Sequence, residues 1–360
     1  MDEKQPLKNN NSQQVDFIIV GQGLAGSVLS LSLIHEGFTV CVIDKTDLSS
    51  CSKIAAGIWN PVVFKRLTKS WLADEIVPEL ISFYETVEEK LQISFVTKRY
   101  ILKAFTEEQE KVFWQKKAET DNEFLDKRVY EDLKITKNYT LKSYSKVLNA
   151  GNIDVALFLE ATKNAISKSQ IFIDEEFDYE ALSETQNGVN YKSIVASKII
   201  FCEGHLISRN PYFSWVPLKP AKGEVLTITC KDMFLDNSVL NKGFFMLPLG
   251  NDIYKVGATY EWENLNDVPT EAKKMELISK LETVISTPYQ IIKHEAGVRP
   301  SVSDRRPIVG KHPEISNYFV FNGFGTKAVM LAPYFAKQLV NHFKNGHPIM
   351  EEVNPSRFKA

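Results

Sequence analysis

The sequence lacks the features that typically mark a secreted, membrane or metal-binding protein. Its 360 residues contain four cysteines and no C-x-x-C pair, so neither a zinc site nor a dithiol redox centre is indicated. No apolar run is long enough to cross a bilayer, and the polar first 14 residues lack the apolar centre of a signal peptide. We therefore expect a reduced, cytoplasmic protein in which Cys41 and Cys202 are buried free thiols.

The charge and the histidines are equally uninformative about special partners. The net charge is −2, so no overall field attracts the chain to nucleic acid or to an anionic membrane. The six histidines are scattered without metal-ligand spacing, and we expect no metal. With 44% hydrophobic and 24% charged residues, the composition is typical of a globular protein of two domains or one large bilobed one.

Hydrophobic spacing predicts the elements. An apolar strand at residues 17–20, a helix at 24–36 and a strand at 38–43 form a βαβ unit. Residues 121–146 look polar and irregular. Further helices are predicted at 71–91, 106–119, 154–167, 269–285 and 326–344, and strands at 93–105, 171–173, 194–201, 223–229, 243–248, 253–260 and 318–322. The fold class is therefore mixed α/β, with a Rossmann-like parallel sheet beside a second, largely antiparallel sheet.

A glycine motif lies between the first strand and the first helix. Gly21, Gly23 and Gly26 match the G-x-G-x-x-G pattern, and Asp44 ends the second strand 18 residues after Gly26. The glycines permit a tight turn, a close approach of a diphosphate and close helix packing, while the carboxylate can accept hydrogen bonds from ribose. In this context the motif predicts a dinucleotide site, but it does not separate FAD from NAD.

Five segments, followed by a closing PSRF at 355–358, resemble the D-amino-acid oxidase, glycine oxidase and sarcosine oxidase family of FAD-dependent oxidoreductases. The resemblance runs from residue 15 to residue 358. The segments are the glycine motif with Asp44, residues 52–61 (SKIAAGIWNP), 220–225 (PAKGEV), 247–248 with 256–261 (LP and VGATYE), and 297–310 with 322–327 (GVRPSVSDRRPIVG and NGFGTK). The resemblance implies FAD. Because residues 298–303 contain no cysteine, where some members attach the flavin covalently, we expect a non-covalent cofactor.

The resemblance also implies which residues contact FAD. The isoalloxazine ring is expected between residues 55–57 and 323–327, where a helix N-terminus and Lys327 could stabilise reduced flavin; an ordinary strand–helix turn with a solvated lysine is the alternative. The adenosine is expected near Asp44, and Phe177 near the adenine. The full set is Gly21, Gly23, Leu24, Ala25, Gly26, Asp44, Lys45, Ser52, Ala55, Ala56, Gly57, Phe177, Cys202, Gly204, Gly323, Phe324, Gly325, Thr326 and Lys327.

Four residues are candidates for the substrate side. In the family, the arginine that matches Arg299 grips the substrate carboxylate, as a planar guanidinium can with two parallel hydrogen bonds; the alternative is an ion pair of Arg299 with an acidic residue of its own chain. Lys327, Tyr260 and Phe245 are the other candidates. Phe245 falls near a tyrosine of D-amino-acid oxidase, which makes that activity less favoured. Trp59 and Trp71 could form an aromatic wall or belong to the core.

The expected domains are an FAD-binding domain (15–92, 151–213 and 296–360), a substrate-binding domain (93–150 and 214–295) and a disordered tail (1–14).

We expect oxidation of the C–N bond of a small amino acid or secondary amine by hydride transfer to flavin N5, with a small-molecule partner and no nucleic acid. One alternative is a tRNA wobble-uridine side-chain oxidase, which residues 55–61 and 299–310 also resemble and to which Lys65, Arg66 and Lys69 could contribute phosphate contacts. A flavin-binding protein without turnover is another. The electron acceptor, the substrate and the oligomeric state stay open.

Overall fold

The computed structural model describes residues 12–46, 50–120 and 122–358. Its strands, in chain order, are β1 (Gln13–Val20), β2 (Val40–Ile43), β3 (Ile58–Trp59), β4 (Val62–Val63), β5 (Thr68–Lys69), β6 (Val96–Ala104), β7 (Tyr130–Thr136), β8 (Tyr139–Ile153), β9 (Ile171–Ile173), β10 (Leu182–Thr185), β11 (Gly188–Tyr191), β12 (Ile194–Phe201), β13 (Ala221–Cys230), β14 (Val239–Asn241), β15 (Phe245–Gly250), β16 (Ile253–Gly257), β17 (Tyr289–Arg299), β18 (Ile308–Lys311) and β19 (Tyr318–Asn322). The α-helices are α1 (Leu24–His35), α2 (Cys51–Ile54), α3 (Ala73–Leu91), α4 (Glu108–Ala118), α5 (Val155–Ser169), α6 (Glu271–Leu281) and α7 (Ala328–Asn345).

The first sheet has a parallel centre in the order β9–β2–β1–β12–β19. The β10–β11 hairpin extends the first half of β12, and β18 pairs antiparallel with β19. The predicted β1–α1–β2 unit is present. Since parallel strands all end at the same edge of a sheet, the loops after β1, β2, β12 and β19 meet there.

Side chains alternate between the two faces of this sheet. Phe17 and Ile19 of β1 pack in the core beneath α1, α3, α5 and α7, together with Val28 and Leu339. Ile18 belongs to a second core on the opposite face, formed with the β10–β11 hairpin. A strand buried on both faces reads as a continuous apolar run, as residues 17–20 do.

The second sheet runs β17–β13–β16–β15–β14–β6–β8–β3, with β7 on β8, and all pairs are antiparallel except β6 with β14. Its own core includes Leu226, Met246 and Val256 from the strands and Leu277 and Leu281 from α6. The mixed fold, with two large sheets and a small β4–β5 pair, confirms the predicted fold class. The sheets draw on distant stretches of chain, and their division into two domains at the boundaries given above stays a prediction.

Two expectations from the sequence are wrong. Residues 121–146 are not irregular, because β7 and most of β8 lie there; register shifts in their pairing interrupt the two-residue alternation that identifies strands. The predicted tail also ends too late, since β1 begins at Gln13 and pairs with β12; residues 1–11 lie outside the described residues. Among the described helices, none combines the length and the hydropathy needed to cross a membrane.

Candidate functional site

The turn after β1 depends on two glycines in close contact. Gly21 has a φ of +98°, and a Cβ there would lie 2.7 Å from the carbonyl oxygen of Cys202. A Cβ on Gly26 would lie only 1.9 Å from the carbonyl oxygen of Gly21, so α1 can start directly against the turn only with glycine at this position. At Gly23 a Cβ would lie 3.3 Å from Ser52 Oγ, a contact that a side chain can relieve. The first turn of α1 therefore offers backbone N–H groups to an anion.

Asp44 stands at the end of β2, beside this turn. Its Oδ1 accepts a hydrogen bond of 3.0 Å from the backbone N–H of Gln22, and Oδ2 makes none within the described residues. Burial raises the pKa of the carboxyl, and the Gln22 hydrogen bond acts in the opposite direction. One oxygen is thus held by the turn while the other is free to accept from a ligand hydroxyl.

A cavity of about 520 Å³ opens at this edge of the sheet. The residues from the predicted cofactor set that line it are Gly21, Gly23, Leu24, Ala25, Asp44, Lys45, Ser52, Phe177, Cys202, Gly204, Phe324 and Gly325. They come from six separate stretches of chain. The sequence reasoning missed other lining residues, including Tyr179, Glu203, Arg209, Glu160 and Lys163, because no local motif marks them and only the sheet brings them to the cavity.

Glu203 is the most unusual of the missed residues. It follows buried Cys202 at the end of β12, and its carboxylate accepts hydrogen bonds from the Tyr179 hydroxyl and, at 2.7 Å, from Asn210 Nδ2. Burial raises the pKa of Glu203 to about 7, although both hydrogen bonds lower it. A carboxyl group that is protonated near neutral pH therefore lines the cavity.

The remaining predicted cofactor residues do not line the cavity. Gly26 packs under the turn, and Ala55 and Ala56 pack partly on the main core. Gly57 lies against the backbone of Ile153, where a Cβ would come within 1.9 Å of a carbonyl oxygen. Gly323, with a φ of +76°, packs on Val302, and Thr326 is exposed. Segment 55–57 thus lies outside the cavity, and segment 323–327 lines it only through Phe324 and Gly325.

Arg299 ends β17 and lies flat on its neighbouring strand. A Cβ on Gly223 of β13 would be 1.8 Å from Arg299 Nη2, so glycine is needed for the guanidinium to occupy this place. Nη1 donates weakly to the carbonyl oxygens of Lys222 and Thr259 at 3.4 and 3.3 Å, and the guanidinium carbon lies 4.6 Å from the centroid of the Tyr260 ring. Burial lowers the pKa of Arg299, and no carboxylate of the described residues pairs with it.

The other substrate-side candidates are spread around this arginine. The Tyr260 ring is 48% exposed and stacks on Trp262. Phe245 on β15 packs against Gly257, so closely that a Cβ on Gly257 would lie 2.9 Å from its ring. The Phe245 side chain is half-buried against the main core. Arg299, Tyr260 and Phe245 are all outside the lining of the cavity, so the structure does not join them to it directly.

Two lysines flank the same region. Lys327 Nζ donates to Ser70 Oγ at 2.7 Å, and its pKa is lowered to about 8 by burial and by Arg305 and Arg306. Lys255 on β16, which the sequence reasoning missed, donates to the carbonyl oxygen of Ile54 at 3.1 Å, and burial lowers its pKa. Both are half-buried cations close to the predicted ring segments.

Both tryptophans belong to packed surroundings. Trp59 is 1% exposed and donates to the carbonyl oxygen of Asn149, so it is a core residue. Trp71 stacks on Phe335 at 5.5 Å and carries the guanidinium of Arg306 on its ring. Cys41 and Cys202 are free and buried, as predicted. Within the ranges described, no group of His, Cys, Asp and Glu could hold a metal ion.

These features fit FAD on physical grounds. The glycine turn and the N–H groups of α1 suit a diphosphate, the free Asp44 oxygen suits a ribose hydroxyl, and Phe177 offers a ring, stacked on Tyr191 at 4.6 Å, to an adenine. In this arrangement Gly21, Gly23 and Asp44 would hold the ADP half.

Comparisons with known proteins agree. The profile of the FAD dependent oxidoreductase family, DAO, matches residues 16–342. Glycine oxidase of Pseudomonas putida is 26% identical over 143 residues, 38% of each chain. The tRNA 5-methylaminomethyl-2-thiouridine biosynthesis bifunctional protein MnmC of Leptospira interrogans is 23% identical over 412 residues, 94% of this chain and 60% of that protein. Each match therefore spans less than two thirds of the curated relative.

The fold is shared with solved structures. Glycine oxidase from Geobacillus kaustophilus superposes with a TM-score of 0.78 at 17% identity, covering 94% of this chain and 96% of that one. Since the family profile covers most of the sequence, the chain belongs to the DAO family of FAD-dependent oxidoreductases, and it is an enzyme whose cofactor is FAD.

Proposed function

We propose that the chain oxidises the carbon–nitrogen bond of a small amino acid or secondary amine. The observation that carries the proposal is Arg299, a half-buried guanidinium that has no carboxylate partner in the described residues and whose pKa is lowered by burial. A protein rarely buries an unpaired charge unless a ligand compensates it. A substrate carboxylate would do so through two charge-assisted hydrogen bonds.

The reaction is divided between the cofactor and the chain. Non-covalently bound FAD would supply the acceptor for a hydride from the carbon beside the amine, which leaves an imine that water hydrolyses. The chain's own part is positioning: Arg299 would anchor the carboxylate so that the carbon–hydrogen bond meets the ring, and Tyr260 would cover the guanidinium. Positioning of this kind accounts for much of the rate in such reactions.

A second candidate is supported by the match to MnmC over 94% of this chain. The substrate would then be an aminomethyl side chain on a nucleic acid. One of the three basic residues offered for phosphate contacts is already neutralised, since Lys69 pairs with Asp74 at 2.8 Å and Glu123 at 3.0 Å. Lys65 and Arg66 are exposed, and two cations bind phosphodiester weakly, so we favour a small-molecule substrate and no nucleic acid.

The test is anaerobic bleaching of the flavin absorbance by glycine, sarcosine, proline, D-amino acids and simple amines. We expect amino acids or N-alkyl amino acids to bleach the flavin, and amines without a carboxylate to fail, because they cannot use Arg299. If simple amines bleached it equally well, the proposed role of Arg299 would be wrong. If none of these compounds bleached the flavin, binding of tRNA would be measured next. Salt-dependent binding would favour the second candidate, and no binding would favour a flavin protein without turnover.

A further inference from the structure

Three cationic side chains lie at or beside the loop at residues 323–327. Lys327 Nζ is bonded to Ser70 Oγ at 2.7 Å, and the Arg306 guanidinium carbon lies 3.9 Å from the centroid of the Trp71 ring. Ser70 and Trp71 are adjacent in the chain, so the two cations are close together. Arg305 precedes Arg306 and contributes to lowering the pKa of Lys327. We call Arg305, Arg306 and Lys327 the cationic cluster.

The cluster has no carboxylate counter-charge within the described ranges of the chain. The acidic residue nearest in sequence, Asp304, is bound by Arg357 at 2.9 and 3.4 Å. Among the described residues, no ion pair to Arg305, Arg306 or Lys327 occurs. Burial, and to a smaller extent the two arginines, lower the pKa of Lys327 to about 8, and no carboxylate acts against them. The cluster is therefore under mutual repulsion that a bound anion would relieve.

The cluster lies beside Arg299 but is distinct from it. The N–H of Gly325 donates to the carbonyl oxygen of Pro300 at 3.2 Å, so the loop of Lys327 is joined to the residue that follows Arg299. The Arg299 guanidinium, however, rests on Gly223 and faces Tyr260. A single negative charge on a reduced flavin would compensate one of the three cations, and the other two would still have no carboxylate partner among the residues that the structure describes.

We propose that the cationic cluster binds a second anionic group of the substrate, a carboxylate or a phosphate, while Arg299 binds the first carboxylate. The inference rests on the proposed function and specifies its substrate class: an amino acid or secondary amine with an additional anionic group. Arg306 is suited to this role because the Trp71 face holds its planar guanidinium while the N–H groups at its edge stay available.

The test uses ligands that cannot be oxidised, so that it does not depend on turnover. Methoxyacetate carries one carboxylate, oxydiacetate carries two on the same ether skeleton, and (phosphonomethoxy)acetate replaces the second carboxylate by a phosphonate. Each is titrated into the FAD-loaded protein, and binding is followed by the change in flavin absorbance and by calorimetry. The variants are Arg306→Gln and, in case that one fails to fold, Arg305→Gln, with Lys311→Gln as control, since Lys311 is an exposed cation on β18.

We expect at least one dianion to bind the wild type about tenfold or more tightly than methoxyacetate, from the typical strength of a charge-assisted hydrogen bond. Which dianion binds better distinguishes a carboxylate from a phosphate. Arg306→Gln should remove most of this advantage and leave methoxyacetate affinity nearly unchanged, while Lys311→Gln should change neither.

Equal affinities for mono- and dianions in the wild type would overturn the inference. It would also fail if Arg306→Gln lowered the flavin midpoint potential without altering any ligand affinity, because the cluster would then serve the reduced flavin alone. The two proposals can fail separately. If dianions bind selectively through Arg306 but no amine bleaches the flavin, the role of the cationic cluster stands and the proposed oxidation is wrong.

Discussion

At the scale of single residues, the chemistry of Arg299 follows from its neighbours as much as from its own side chain. The motif GVRP identifies the arginine, but its availability depends on Gly223 across the β13–β17 ladder and on the lack of a carboxylate partner among the described residues. An arginine already paired to a protein carboxylate would contribute little to recognition.

We expect Arg299→Ala to weaken the binding of methoxyacetate by about 2–5 kcal/mol, because a buried charge pair is lost. The flavin absorbance spectrum should stay that of the wild type. Arg299→Lys is the matched control: it keeps the charge but loses the planar fork, so it should recover only part of the affinity. Titration of the flavin absorbance measures all three proteins, and an alanine variant with wild-type affinity would remove Arg299 from the site.

At the scale of elements, the strand–turn–helix unit shows two kinds of glycine in one motif. Gly26 is required by the fold, since a Cβ there would meet a backbone carbonyl at 1.9 Å. Gly23 has an ordinary φ of −70°, and the space around a Cβ there is limited only by the hydroxyls of Ser52 and Ser50. We therefore expect the missing side chain at Gly23 to leave room for a ligand and not for another part of the protein.

These two glycines give a matched pair of variants. Gly26→Ala should lower the free energy of unfolding of the apoprotein by about 1–3 kcal/mol, the usual cost of overpacking. Gly23→Ala should leave that free energy nearly unchanged and weaken FAD binding, because its methyl group projects towards the diphosphate. Urea unfolding and FAD titration separate the two effects; an equal loss of stability in both variants would contradict this division of roles.

At the scale of the whole molecule, the cavity is assembled from distant segments, and Glu203 shows what this does to charge. A carboxyl whose pKa is raised to about 7 from the ordinary 4.5 is neutral in the folded protein over a range where it is ionised in the unfolded chain. Its contribution to stability is therefore lost as pH rises from about 4.5 to 7. A bound diphosphate would disfavour the ionised form further.

We accordingly expect the affinity for FAD to fall as pH rises through about 7, and Glu203→Gln to remove most of that dependence and to bind FAD more tightly at pH 8. Glu176→Gln is the control, since Glu176 lines the same cavity but is exposed; it should keep the pH dependence of the wild type. FAD titration of the apoproteins between pH 6 and 8 measures this, and an unchanged slope in Glu203→Gln would refute the role of Glu203.

The sequence by itself determined the features that depend on neighbours along the chain. The β1–α1–β2 unit, the glycine turn and Asp44 follow from local spacing, because a turn, a helix start and a strand end are set by a few consecutive residues. Arg299 and Lys327 were identified differently, from short motifs that resemble the family, and their roles stay predictions. The strand at residues 194–201 was also predictable, since it is a short, mostly apolar run rich in β-branched residues.

Only the tertiary structure decided which distant groups meet. β7 and β8 escaped prediction because register shifts break their alternation, and because the pairing of β8 with β6 on one side and β7 on the other defines both strands. Glu203 lines the cavity, and Lys255 donates to the carbonyl oxygen of Ile54. The cationic cluster lies around Ser70 and Trp71. All of these contacts join residues far apart in sequence. Burial and mutual repulsion, which set the pKa values of Glu203 and Lys327, arise only when the chain is packed.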